Sequence, residues 1–259
     1  MARAALLSAL AGVALGAVAS PAAAKLFTPP PGCHVYLTVQ EQGCVVSNLY
    51  RCDSDAAGDQ WRADFGLNGA FFVSKIDRET RWLESMDLET RNHEVLAPDA
   101  PAPASLSKLL AAGRNDFEFS TVNDQGEVRH YKGFDKLTDQ DVAIDGVPLK
   151  KTEYAITATD DAGNMIWKST GHEYVSAQWR TFFSGAGMWQ NKSGTLPYDN
   201  SPARMIQKGQ PGFAETIPEY GCDSMTSERD TAPGLVPAAL WRNGPMSVPA
   251  GAAGTEPRQ

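Results

Sequence analysis

The sequence predicts a mainly β protein: a curved antiparallel meander sheet, half-barrel or sandwich-like, with one short helix and a long irregular C-terminal region. Three observations predict it. From Cys33 to Phe183 the hydrophobic period is mostly two, the pattern of half-buried strands. Turn clusters of Asp, Asn and Gly recur between these runs, and Asn68-Gly69 is the strongest hairpin signal among them. Only one stretch of the chain downstream of residue 24 carries both a helix start and a helix stop: Ser105 before Leu106, Leu109 and Leu110, then Gly113.

Residues 1–24 read as a secretory signal peptide. Arg3 precedes the uncharged run Ala4–Ala19, and Pro21 and Ala22-Ala23-Ala24 follow as a cleavage site. The run is shorter than the ~20 residues that span a bilayer. The expected location is the periplasm or the exterior after cleavage near Ala24, with no transmembrane segment in the mature chain. Residues 25–32 form a Pro-rich lead expected to lie loosely on the surface. The whole chain has 23 basic and 31 acidic side chains and a net charge of -8; cleavage makes it one unit more negative. That balance argues against nucleic acid as a partner.

The β-rich domain is expected over 33–222, with two halves, 33–96 and 116–184, forming one sheet. His34–Val39 and Val45–Cys52 read as a hairpin turning at Glu41-Gln42-Gly43. Four cysteines in an exported chain predict two disulfides. If Cys44 to Cys52 is one extended strand, its ends lie about 26 Å apart, far beyond the about 4.4–6.8 Å that a disulfide tolerates between Cα atoms. The hairpin places Cys33 opposite Cys52, so the pairs are Cys33–Cys52 and Cys44–Cys222. Strands follow at Gln60–Gly66, Ala70–Ile76 and Arg81–Leu88. In the last, Trp82, Met86 and Leu88 share one face and Glu84 interrupts it. The Pro- and Ala-rich stretch 97–104 reads as a linker before the helix.

In the second half, strands are expected at Phe117–Val122, Glu127–Phe134 and Lys151–Thr159. Met165–Ser169 and His172–Ala177 read as a hairpin through Thr170-Gly171, and Trp179–Phe183 as a strand or a flap over the core. Leu137–Asp145 suits a loop with a short helical turn. Beyond Gly185, Gly, Pro, Asn and Ser dominate and the pattern decays. Residues 223–259 read as an extended or disordered tail.

The chain has no Gly-x-Ser-x-Gly elbow, no His-Glu-x-x-His, no Cys-x-x-Cys and no phosphate-binding Gly-Lys-Ser/Thr loop. No catalytic residue, metal or cofactor is assigned. The acidic turn 53–59 matches a calcium loop at its first and third positions and its glycine, but has Ala57 at the fifth and lacks the terminal Glu, so a hydrated turn is the expectation. His172, near Ser176 and Ser184 in sequence, is the one histidine considered as a base. The binding clue is aromatic: Trp82, Tyr154, Trp167, Trp179, Phe182 and Phe183, with Glu84 facing them, are the candidate lining of an apolar pocket. The expected function is a periplasmic, non-enzymatic binding protein for a hydrophobic or lipid-like ligand or a cell-envelope component. The alternatives are a secreted hydrolase with loop-borne catalytic residues and a structural protein–protein interaction module with an envelope protein partner.

Overall fold

The computed structural model describes residues 26–223. The expected signal peptide and most of the expected tail fall on residues 1–25 and 224–259, outside them. Fourteen strands form one antiparallel meander sheet. They are β1 (Cys33–Glu41), β2 (Val45–Cys52), β3 (Gln60–Gly66), β4 (Gly69–Ile76), β5 (Trp82–Asp87), β6 (Asn92–Leu96), β7 (Arg114–Asn123), β8 (Val128–Ile144), β9 (Val147–Thr159), β10 (Met165–Ser176), β11 (Thr181–Phe183), β12 (Ala186–Asn191), β13 (Gly194–Asp199) and β14 (Pro202–Gln207). The helix α1 (Leu106–Ala112) lies between β6 and β7. Strand order runs β13-β12-β10-β9-β8-β7-β6-β5-β4-β3-β2-β1-β14, with β11 paired to β10.

The order dictates the shape. β13 and β14 stand at opposite ends of the sheet, yet only Asn200 and Ser201 separate them in sequence. Two residues reach roughly 10 Å from one strand end to the next, so the sheet must curl until its edges meet. Among the described residues no ladder closes the seam. Instead Asn200 N donates to Gly185 O (2.9 Å) and Gln42 N to Ser201 O (3.0 Å).

Several expectations give way here. The segment 186–207 forms β12, β13 and β14, and the irregular backbone begins only at Lys208. Composition misleads because β13 and β14 are edge strands, where Pro197 and Pro202 cost no ladder donor. The interval 137–145 is not a helical turn: a register shift between Leu137 and Asp141 bends β8, which continues to Ile144. Thr170-Gly171 is not a turn, since β10 runs straight through it. Gly171 serves close strand approach instead, because a Cβ there would stand 2.3 Å from Ala186 O. The Pro-rich lead is anchored: Phe27 packs on Tyr50 and Phe65 with centroids at 5.5 and 5.4 Å, and its N–H donates to Ala214 O. The linker 97–104 completes the edge of β7, with Ala102 and Glu118 exchanging both backbone hydrogen bonds.

Two large cores occupy the interior, with smaller apolar clusters elsewhere. Phe117, Phe119, Tyr131, Tyr154, Trp167 and Trp189 make the first, with Trp82 edge-on to Phe119 and Tyr131. In the second, Val147 and Leu149 at the tip of the β8–β9 hairpin fold over Leu37, Val39 and Leu49. The outer face of β1–β2 carries Val46 and Tyr50 of a further apolar cluster and, beside them, three polar side chains. Thr38, Gln40 and Asn48 are fully buried there, because the segment 213–222 crosses them as a strap. Asn48 donates to Glu215 O, Gln40 donates to Ile217 O and accepts from Glu219 N, and Thr38 accepts from Ala214 N. Disulfides join Cys33 to Cys52 and Cys44 to Cys222, and the second pins the strap.

Glu79, in the β4–β5 turn, ties three elements together. Its carboxylate accepts from Ser105 Oγ (2.9 Å), Ser107 N (2.9 Å), Ser107 Oγ (2.7 Å) and an Arg180 guanidinium nitrogen (2.7 Å). Burial alone would raise its pKa, but the Ser107 and Ser105 hydrogen bonds and the Arg180 charge outweigh it and hold the pKa near about 2. With the folded pKa below the unfolded one, the stabilisation is present above about pH 4.5 and is lost as pH falls toward 2. Glu79→Gln is expected to cost about 2 kcal/mol at pH 7, discounted for partial exposure. Urea unfolding should show the two proteins converging near pH 2.

Candidate functional site

The curled sheet encloses a cavity of about 110 Å³ beneath the first core. Inward positions on facing walls build it. Gln60 and Arg62 of β3 and Ser74 and Ile76 of β4 line one side; Phe117, Phe119, Tyr154, Ile156, Trp167 and Trp189 line the other. The size approaches the roughly 150 Å³ of an engineered cavity that takes one benzene ring, and is well above the ~15 Å³ needed for one water.

Glycines make room for the rings. A Cβ at Gly133 would stand 2.8 Å from Phe117 Cζ, and one at Gly187 would stand 2.8 Å from the Tyr198 hydroxyl. Tyr198 then meets Tyr154 hydroxyl to hydroxyl, and Tyr154 also bonds Ser169 Oγ at 2.6 Å. Burial raises the pKa of both tyrosines, so they are neutral hydrogen-bonding groups at physiological pH.

Three charged residues face this largely aromatic space: Arg62, Asp135 and Glu173. Arg62 Nε lies 3.2 Å from Asp64 Oδ1 as an ion pair, and neither its Nε nor its Nη2 has a hydrogen-bond partner among the described residues. Asp135 pairs with Tyr154 across β8–β9, and Glu173 with Thr152 across β9–β10. Tyr154 and Thr152 are two residues apart, so both acids project from the same face. Burial pushes the Asp135 carboxyl up to about 7. Burial and the Asp135 charge push Glu173 up to about 8, with Arg62 opposing.

The sequence candidates divide. Trp82, Tyr154, Trp167 and Phe182 line the cavity. Trp179 and Phe183 belong to the second core, and Trp179 also borders a shallow outer groove beside Arg51, Arg78 and Arg180. Glu84 is directed outward and meets His93 Nε2 at 3.0 Å. The register shift between Lys75 and Ile76 is the cause: it leaves Trp82 opposite Ile76 but Glu84 opposite Lys75, so the two side chains leave β5 on different faces. The buried side chains of β5 are Ser85 and Asp87. Sequence reasoning missed Arg62, Asp135 and Glu173. A signal for Glu173 exists, since the two-residue register that carries Trp167 and Ser169 inward also carries Gly171 and Glu173.

Other clusters are accounted for. In the acidic turn, Asp55 and Asp59 hold Lys75 at 2.8 and 3.1 Å, and Asp55 also accepts from Trp61 Nε1. Among the described residues, no group of three or more His, Cys, Asp and Glu side chains is placed to hold a metal. His172 contacts the Tyr174 hydroxyl at 3.4 Å rather than a serine. On the outer face, His130 bridges Ser120 Oγ (2.8 Å) and Asp161 Oδ1 (2.9 Å).

Comparison with protein-family models, with curated proteins and with solved structures returned no match.

Proposed function

We propose that the protein is an exported, non-enzymatic binding protein that takes a small, mostly apolar molecule into the interior of its curled sheet. One observation carries this reading: an aromatic-walled cavity that retains three charged residues at its polar side. A core selected only for packing would exclude such groups. The enclosed volume suits a single ring or a short chain, and a longer lipid-like molecule would project from the mouth. The two disulfides and the lack, among the described residues, of a helix long and apolar enough to cross a membrane agree with export.

The test is calorimetric titration with benzyl alcohol, a neutral one-ring probe. Saturable 1:1 binding near about 1 mM is expected for a ligand of this size. Ser169→Trp, which fills the cavity, should abolish it. Non-saturating heats, or an unchanged isotherm in the filled variant, would contradict the reading.

The Ser120–His130–Asp161 chain favours the hydrolase alternative. Its side chains are open to water, with His130 47% and Asp161 71% exposed, and none of them lines the cavity. Hydrolysis of p-nitrophenyl acetate that disappears in Ser120→Ala would support that alternative; equal rates in both proteins would remove it.

A further inference from the structure

Resting on the cavity reading above, we propose that the molecule bound there is a small organic cation, an amine on an apolar body, whose ammonium is held between Asp135 and Glu173. Four observations converge. Neither carboxyl has a hydrogen-bond or ion-pair partner among the described residues, although both line the cavity and burial raises the pKa of each. Arg62 is the only basic residue of the lining; it lies 3.2 Å from Asp64 and its charge also opposes the rise of the Glu173 pKa. The cavity thus sets two acids against a single cation that a third acid, Asp64, shares. The surrounding wall is aromatic, and the faces of Trp82, Phe119 and Trp167 attract a cation where carboxylates alone would favour water. Finally, Trp167 is only 6% exposed, yet its indole N–H has no acceptor. A buried donor of that kind points to a ligand that also carries an oxygen or nitrogen acceptor.

The ladder supports the geometry. Asp135 and Glu173 flank β9 on either side and are offset by one two-residue step. Strand spacing and rise place their Cα atoms ~12 Å apart. Side chains leaning inward from such positions leave space for one ammonium between two carboxyl groups, and an ammonium offers three donors to share. A neutral ligand of the same shape leaves both acids unmatched. An anion would be repelled by them and would meet only the partly neutralised Arg62.

The experiment compares benzylamine with its neutral isostere, benzyl alcohol, by calorimetry on the full mature protein at about pH 8.5. Benzylamine is expected to bind at least about 10-fold more tightly. Asp135→Asn and Glu173→Gln should each reduce that preference, and the double variant, its folding confirmed by a cooperative urea transition, should remove it. Equal affinities in the wild-type protein would overturn the amine assignment and leave the cavity reading standing. So would a preference that survives in the double variant. Failure of both probes to bind would overturn the cavity reading, and the amine assignment with it.

Discussion

The double variant Asp135→Asn with Glu173→Gln is expected to be more stable than the wild-type protein at pH 8, despite altering the candidate site. Both carboxyls have folded pKa values above their unfolded ones, at about 7 and about 8. The folded state therefore binds more protons than the unfolded state in the interval between. Stability from these groups is fully present below about pH 4 and is lost as pH rises through 7 to 8. A shift of about three units corresponds to roughly 4 kcal/mol, and part of the Glu173 cost comes from the Asp135 charge and disappears with it. The wild-type protein should thus lose several kcal/mol between pH 4.5 and 8.5 relative to the variant. Taking the difference between the two proteins cancels other titrations, such as that of His93, whose pKa the Asp124 and Glu84 contacts also raise. Urea unfolding at the two pH values measures it. Parallel pH profiles would show that the interior acids are already neutralised from within. The sign has a functional meaning: a protein that keeps a costly pair of acids gains from a ligand that neutralises them.

The second large effect lies at the strap. Replacing Cys44 and Cys222 by serine opens a loop with a sequence separation of 178, which by chain entropy costs up to about 5 kcal/mol. The separation between Cys33 and Cys52 is only 19, so its removal should cost about 3 kcal/mol by the same model. Packing widens the difference. The strap supplies the hydrogen-bond partners of Thr38, Gln40 and Asn48 on the outer face of β1–β2, and buried polar groups stripped of partners each cost about 1–3 kcal/mol. Hydrogen exchange should show residues 213–222 losing protection first in the Cys44/Cys222 variant. A smaller loss than in the Cys33/Cys52 variant, or a strap that stays protected, would contradict this account.

Much of the meander is local and therefore legible. Asn68-Gly69 and the Asp- and Gly-rich turns announce hairpins through backbone preferences that need no tertiary partner. The disulfide pattern follows from strand length and hairpin register: an eight-residue strand cannot bring its own ends together, and the hairpin sets Cys33 opposite Cys52. Features set by strands far apart in sequence are hidden. The alternation across Trp82, Glu84 and Met86 suggests one face, but an extra residue at Leu83, which bulges β5 against β4, decides which side each residue takes. The strands β12 to β14 look irregular because edge positions accept proline and because Gly187 makes way for a tyrosine from the next strand. Thr38, Gln40 and Asn48 read as an exposed face until the strap covers them. Asp135 and Glu173 sit in stretches whose polar neighbours mask their inward register, and only the curl set by the Asn200-Ser201 link turns that register into a cavity wall.

If Asp135 and Glu173 are ionisable groups of the aromatic cavity, kept there for a ligand, titrating their side-chain carboxyl carbons by NMR, assigned with Asp135→Asn and Glu173→Gln, will show it. At least one midpoint should lie above about pH 6.5 in the free protein and should fall when benzylamine is added. Two midpoints near pH 4, unmoved by the amine, would contradict it.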